Sequence, residues 1–166
     1  PVPLTVHNYY LAEIASMVLK KCIARAVGEM GMYPRISHEC KIYPQERYNV
    51  MLSLSEAPVE GFAKGTVREA PLEALETVRS VLADMDSLEF SDEELSVYKA
   101  SLKQSVELKK NDPDFWLAMI SRRYLDGKDL YTGYAAEIDS ITKEDVKALL
   151  SSLSKGSRVE YIVTAK

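Results

Sequence analysis

The sequence offers few side chains that could anchor a catalytic metal. It contains two histidines, His7 and His38, and no second histidine lies one helical turn from either. A hydrolytic zinc ion needs three protein ligands close together, and a nearby carboxylate must act as general base on the bound water. His38-Glu39 is followed by Lys41 and Ile42, so neither an HExxH nor an HxxEH motif can be read there. The spacing predicts no zinc site and no complete catalytic constellation within this chain, and His38 is interpreted as a half-buried strand histidine.

The other reactive side chains have simple structural interpretations. Cys22 falls on the apolar face of a predicted helix and Cys40 in a predicted strand, so both are interpreted as buried thiols. A disulfide between them stays open as an alternative if that helix packs on that strand. Arg122 and Arg123 are interpreted as surface helix charges, with pairing to carboxylates of a substrate or partner as the alternative.

Aromatic residues concentrate after residue 112. Trp116 is interpreted as a core anchor. Three tyrosines, Tyr124, Tyr131 and Tyr134, are expected to pack together beneath a corner between two helices rather than to bind a ligand. That corner is predicted at Asp112-Pro113, because aspartate is a good N-cap and proline suits the first helical position.

Hydrophobic periodicity predicts the elements that carry these residues. Residues 8–27 have the spacing of an amphipathic helix, which Asn8 or Thr5 could cap. Residues 35–42 and 47–55 alternate as two strands of a hairpin around Pro44. Further helices are expected after Pro71, over residues 92–110, after Pro113, around Ile138 and after Thr142, and a last strand over residues 158–164. Residues 57–70 are expected to form a loop.

This order predicts an α+β fold in a single domain spanning residues 1–166. It is a small, antiparallel-containing sheet, with three strands visible in the sequence, covered on one face by five or six helices. Three strands are few for so many helices, and opening strands before Pro1 would correct the imbalance. The chain begins at Pro1 without an initiator Met, so we expect a piece of a larger multidomain protein that lacks its N-terminal part.

Composition excludes some classes of function. The chain is 46% hydrophobic and 28% charged with a net charge of −4, which is typical of a soluble globule and argues against a nucleic-acid surface. No apolar run approaches the ~20 residues of a membrane span. The sequence leaves the compartment unknown, and both cytoplasmic and periplasmic locations stay open.

The order of motifs resembles a later, non-catalytic domain of the pitrilysin/insulinase family of zinc metallopeptidases. The resemblance covers nearly all of the chain. The residues that carry it are the helix over residues 9–26, Gly31-Met32-Tyr33 before the hairpin, Ser91-Asp92-Glu93-Glu94 at a helix start, Phe115-Trp116, and Ile141-Thr142-Lys143-Glu144-Asp145-Val146 before the last helix and strand.

The resemblance implies a role without chemistry of its own. Zinc is expected in an HxxEH catalytic domain of the same polypeptide or of a partner subunit, and this chain would form part of the chamber that binds unfolded peptide. Such domains often supply an arginine and, seven residues later, a tyrosine that reach the substrate. Tyr33 matches the tyrosine, but Ala26 stands at the matching arginine position and Arg25 lies one residue earlier. Tyr33 and Arg25 are therefore the candidate substrate-binding residues.

Two alternatives remain open. The family also includes core subunits that keep the fold without the zinc site, so the chain could be a catalytically silent structural protein that acts in assembly or peptide binding. It could also be an unrelated α+β binding module, which would need no strand before Pro1. An HxxEH motif elsewhere in the polypeptide would distinguish the first alternative from a peptidase domain.

Overall fold

A computed structural model describes residues 2–56 and 70–161 of the chain. Within these residues the fold is α+β, with six α-helices and one two-stranded antiparallel sheet. The helices are α1 (Val6–Val27), α2 (Ala70–Ala83), α3 (Asp92–Lys109), α4 (Pro113–Leu125), α5 (Tyr134–Ser140) and α6 (Lys143–Ser154), and the strands are β1 (Met32–Lys41) and β2 (Arg47–Glu56). None of the described helices is both long enough and apolar enough to cross a bilayer.

Helix α1 is the centre of the core. It packs against β1, α2, α3, α5 and α6, and nine of its side chains are buried: Tyr10, Leu11, Ala12, Ile14, Ala15, Val18, Leu19, Ile23 and Val27. No polar or charged side chain is buried among the described residues. Burial of each large aliphatic side chain contributes about 1.5–3 kcal/mol, so this helix makes a large contribution to the stability of the fold.

Thr5, and not Asn8, caps α1. The Thr5 backbone is extended, and its hydroxyl oxygen accepts a hydrogen bond from the Asn8 amide at 3.1 Å. The Asn8 side chain donates instead to the Pro3 carbonyl oxygen at 2.9 Å. The helix therefore begins before Asn8, and the candidate cap at that position was wrong.

The two strands form the expected hairpin with one covered face. Their register pairs Met32 with Glu56 at one end and Lys41 with Arg47 at the other. Even-numbered residues from Met32 to Cys40 and from Tyr48 to Leu54 are buried or half-buried, whereas the odd-numbered residues of both strands are exposed, apart from Lys41 at the turn. This alternation is the pattern of a sheet that has a core on one side and solvent on the other.

The expected third strand is wrong in the described part of residues 158–164. Ser157 to Tyr161 has no strand structure, and Val159 and Tyr161 are 73% and 88% exposed. Glu160 accepts hydrogen bonds from Arg79 of α2, at 3.0 Å from Nε and 2.6 Å from Nη2. This ion pair holds the segment against a helix rather than beside the sheet. Residues 162–166 and residues 57–69 of the loop expected over residues 57–70 lie outside the described residues, and Ala70 is already the first residue of α2.

Three helix starts agree with the sequence because their chemistry is local. Ser91 and Glu94 form a complete capping box at α3, and Thr142 forms one with Asp145 at α6. At the corner, Asp112 accepts a hydrogen bond from the Asp114 amide at 2.9 Å, and Pro113 is the first residue of α4. Each cap satisfies backbone N–H groups that the helix itself leaves without partners.

Candidate functional site

The two candidate substrate-binding residues lie on either side of one chain reversal. Arg25 is exposed in the last turn of α1, and Tyr33 is 59% exposed on the solvent face of β1. Between them the chain makes a 3-10 turn over Gly28–Met30, and Gly31 has a φ of 69°. A residue without a Cβ adopts that left-handed conformation at little cost, so glycine allows the helix to turn directly into the strand. Both side chains are accessible to a ligand.

His38 lies on the inward face of β1, as its position in the alternation predicts. Its Nε2 atom is 3.8 Å from Oε1 of Glu13, and its ring meets that of Tyr9 edge to face with centroids 6.2 Å apart. His7 lies elsewhere, with Nδ1 3.3 Å from Oε2 of Glu137. No group of three or more His, Cys, Asp or Glu side chains suited to a metal occurs in residues 2–56 and 70–161.

A surface pocket of about 280 Å³ opens beside His38, between α1, β1 and α4. Its lining combines a small apolar floor with ionisable groups: Tyr9, Glu13, His38, Glu39, Cys40, Ala118, Met119, Arg122 and Leu130. Sequence reasoning identified His38 and Cys40 as neighbours on one strand face, but the other lining residues come from segments that no local motif connects.

The pocket raises the pKa values of Cys40 and Tyr9, the two groups in it that could act as nucleophiles after losing a proton. Burial raises the pKa of the Cys40 thiol to about 11, so the thiol stays protonated at neutral pH. Burial, reinforced by the nearby Glu13 carboxylate, raises the pKa of Tyr9 to about 12. A group that works as an acid, base or nucleophile near pH 7 needs a pKa close to that pH, and neither Cys40 nor Tyr9 has one. Cys22 and Cys40 are both free thiols, so no disulfide joins them.

The two arginines of α4 are already paired within the chain. Arg122 Nη1 lies 2.9 Å from Asp126 Oδ2, and its Nη2 donates to the Cys40 carbonyl oxygen at 3.3 Å. Arg123 Nη1 lies 3.1 Å from Asp129 Oδ2. Arg122 therefore connects α4 to β1, whereas the sequence predicted only a surface charge at this position.

The aromatic residues after the corner differ from the prediction in part. Tyr131 and Tyr134 pack together, with stacked rings 5.4 Å apart, but Tyr124 is 77% exposed and does not join them. Trp116 is half-buried rather than a core anchor. Its indole N–H donates to the Lys110 carbonyl oxygen at 2.8 Å, and its ring meets that of Tyr131 at 5.0 Å. These contacts lock the corner between α3 and α4.

Helix α4 leaves much of its apolar surface in solvent. It has no buried side chain. Its exposed apolar residues form a group that we call the α4 face: Leu117, Ile120, Tyr124 and Leu125. Contiguous exposed apolar side chains on a helix often mark an interaction surface.

Comparisons with known proteins give no assignment. The chain matched no protein-family model, no curated protein and no solved structure.

Proposed function

We propose that this chain is a non-catalytic domain that binds extended peptide and completes a zinc metalloendopeptidase of the pitrilysin/insulinase type. The observation that carries the proposal is the hairpin. Its two strands are ten residues long, and neither has a second partner strand among the described residues. The outer edge of such a strand presents backbone N–H and C=O groups that an extended peptide can pair with.

Tyr33 supports this assignment by its position. It lies in the second residue pair of the hairpin, opposite Ser55, with its side chain in solvent on the outer face. A phenol held there can donate a hydrogen bond to a peptide group that passes this end of the hairpin, beside Ser55. Arg25, exposed at the end of α1, would supply a positive charge to the same peptide from across the Gly28–Met30 turn.

The hydrolytic centre in this proposal lies outside the chain. The catalytic domain, with its HxxEH motif and zinc ion, would belong to the same polypeptide or to a partner subunit. The raised pKa values of Cys40 and Tyr9 agree with a binding role rather than a catalytic one.

Peptide binding provides the test. A fluorescein-labelled unfolded peptide should raise its fluorescence anisotropy on addition of this chain and should not be cleaved, with or without added zinc. Tyr33→Phe removes one hydroxyl and should weaken binding about three- to tenfold. Tyr43→Phe is the matched control, because Tyr43 is exposed in the hairpin loop and should have no effect. Stoichiometric zinc binding with peptide turnover by this chain alone would overturn the proposal.

A second candidate function is assembly without catalysis, and the α4 face favours it. In that case the chain would be a silent structural subunit, and Ile120 would contact another protein. Loss of self-association or of partner association in Ile120→Asp, together with no peptide binding by the parent chain, would select this candidate.

A further inference from the structure

We propose that the peptide pairs with the outer edge of β2 and not with that of β1, and that it alternates apolar side chains with polar ones and carries an acidic side chain beside Arg47. This inference rests on the proposed function and specifies its edge and its class of peptide.

The even-numbered residues of the hairpin direct their backbone groups outward. In an antiparallel pair, alternate residues point their N–H and C=O groups toward the partner strand and away from it. Pro34 lies inside β1 and has no N–H, so it fits a position whose amide points away from β2. Cys40 is also even-numbered, and its carbonyl oxygen accepts a hydrogen bond from Arg122 of α4. Both observations give the same assignment.

The outer edge of β1 is obstructed at both ends. Pro34 interrupts the row of donors near its start, and Arg122 occupies the Cys40 carbonyl near its end. His38 lies between them, next to the pocket that Ala118 and Met119 of α4 help to line. A peptide paired along this edge would lose a hydrogen bond at each obstruction.

The outer edge of β2 has neither obstruction. By the register, its outward-directed residues are the partners of the even-numbered residues of β1: Tyr48, Val50, Leu52 and Leu54. None is proline, and among the described elements the extensive backbone contacts of β2 are with β1. The backbone N–H and C=O groups of these four residues bond to no other described segment, so an added strand can pair with them.

The side chains of β2 define what such a strand must carry. Val50, Leu52 and Leu54 face the core side but are only half-buried, so apolar side chains on the same face of a peptide would cover them. On the solvent face Arg47 is exposed and forms no ion pair with a described residue. A carboxylate on the neighbouring strand, about 4.8 Å away, would pair with it.

Two peptides and two edge variants test the inference. The peptides have about nine residues, one alternating valine with glutamate and the other valine with lysine, each labelled for fluorescence anisotropy. The chain should bind the glutamate peptide about tenfold more tightly, and added salt should reduce the difference. Val50→Pro removes an outward N–H without breaking a bond to β1, and it should weaken binding about tenfold.

Arg47→Glu provides a second variant that leaves the backbone unchanged, and it should reverse the preference between the two peptides. Arg35→Glu is its matched control on β1, because Arg35 is also exposed but lies one strand farther from the peptide than Arg47, so it should change the preference much less. Circular dichroism checks that each variant is folded, and if Val50→Pro unfolds, the arginine pair decides. Binding that is unchanged in Arg47→Glu and lost in Arg35→Glu would overturn the β2 assignment but keep the proposed function. Binding of neither peptide would overturn both.

Discussion

Helix α1 and strand β1 differ from strand β2 and helix α4 in how completely the chain covers them. Nine side chains of α1 are buried, and so are three residues of β1, namely Met32, Pro34 and Cys40. In contrast, α4 has no buried side chain, and no described side chain of β2 is buried. The apolar residues of β2 and α4 nevertheless have the spacing of a strand and a helix that face a core.

Hydrophobic periodicity therefore identifies an apolar face but not the element that covers it. In α1 the covering elements come from the same chain. In α4, the half-buried side chains of Phe115 and Met119 pack against the rest of the chain. The bonds from Trp116 to Lys110 and from Arg122 to Cys40 add polar contacts. Substitutions in the covered and the uncovered elements should therefore change the stability by different amounts.

Truncation of an isoleucine to alanine should lower the free energy of unfolding strongly in α1 and hardly at all in α4. Ile23 of α1 is fully buried, so Ile23→Ala should lower the free energy of unfolding by about 2–5 kcal/mol because it leaves a cavity. Ile120 of α4 is 51% exposed, so Ile120→Ala should change it by no more than about 0.5 kcal/mol. Urea unfolding followed by circular dichroism measures both. A large loss for Ile120→Ala would mean that another surface covers α4 in solution.

Removal of the corner cap should have an intermediate effect. Asp112→Ala deletes the acceptor for the Asp114 amide and should lower the free energy of unfolding by about 1 kcal/mol. Asp112→Asn keeps a capping oxygen and should behave nearly as the parent chain does. Equal losses in the two variants would indicate that the charge of Asp112, and not its cap, stabilises α4.

A carboxylate after α4 should make a small, pH-dependent contribution. Hydrogen bonds from Thr132 and from the Tyr131 amide lower the pKa of Asp129 from 3.8 to about 2. A group whose folded pKa is lowered stabilises the fold above its unfolded pKa, and this stability is lost as the pH falls toward the folded value. Asp129→Asn should therefore lower the melting temperature at about pH 5 and have less effect near pH 2. A difference that does not change with pH would contradict the assignment.

The sequence predicted the parts of the fold that depend on local chemistry. The caps at Ser91 and Thr142 and the corner at Asp112-Pro113 were confirmed, because each needs only residues within one helical turn. The third strand was wrong over residues 158–161, the part of it that the structure describes, since membership of a sheet depends on a distant partner. Glu160 pairs with Arg79 instead.

Among the candidate site residues, Tyr33 and Arg25 are exposed as a binding role requires, and that role stays a prediction. The pocket beside His38 could not be predicted, because Glu13, Met119 and Leu130 come together only through tertiary packing. The exposure of Tyr124 has the same cause. The periodicity of α4 predicts an apolar face, but it does not predict whether another element of the chain covers that face.

Amide hydrogen exchange along β2, followed by NMR, tests directly whether a peptide pairs with the outer edge of this strand. In the free chain the amides of Asn49, Met51 and Ser53, which pair with β1, should be protected, and those of Val50 and Leu52 should exchange faster. Saturating valine–glutamate peptide should slow the exchange of Val50 and Leu52 at least about tenfold. Unchanged exchange at these two amides with the peptide present would contradict peptide pairing with the outer edge of β2.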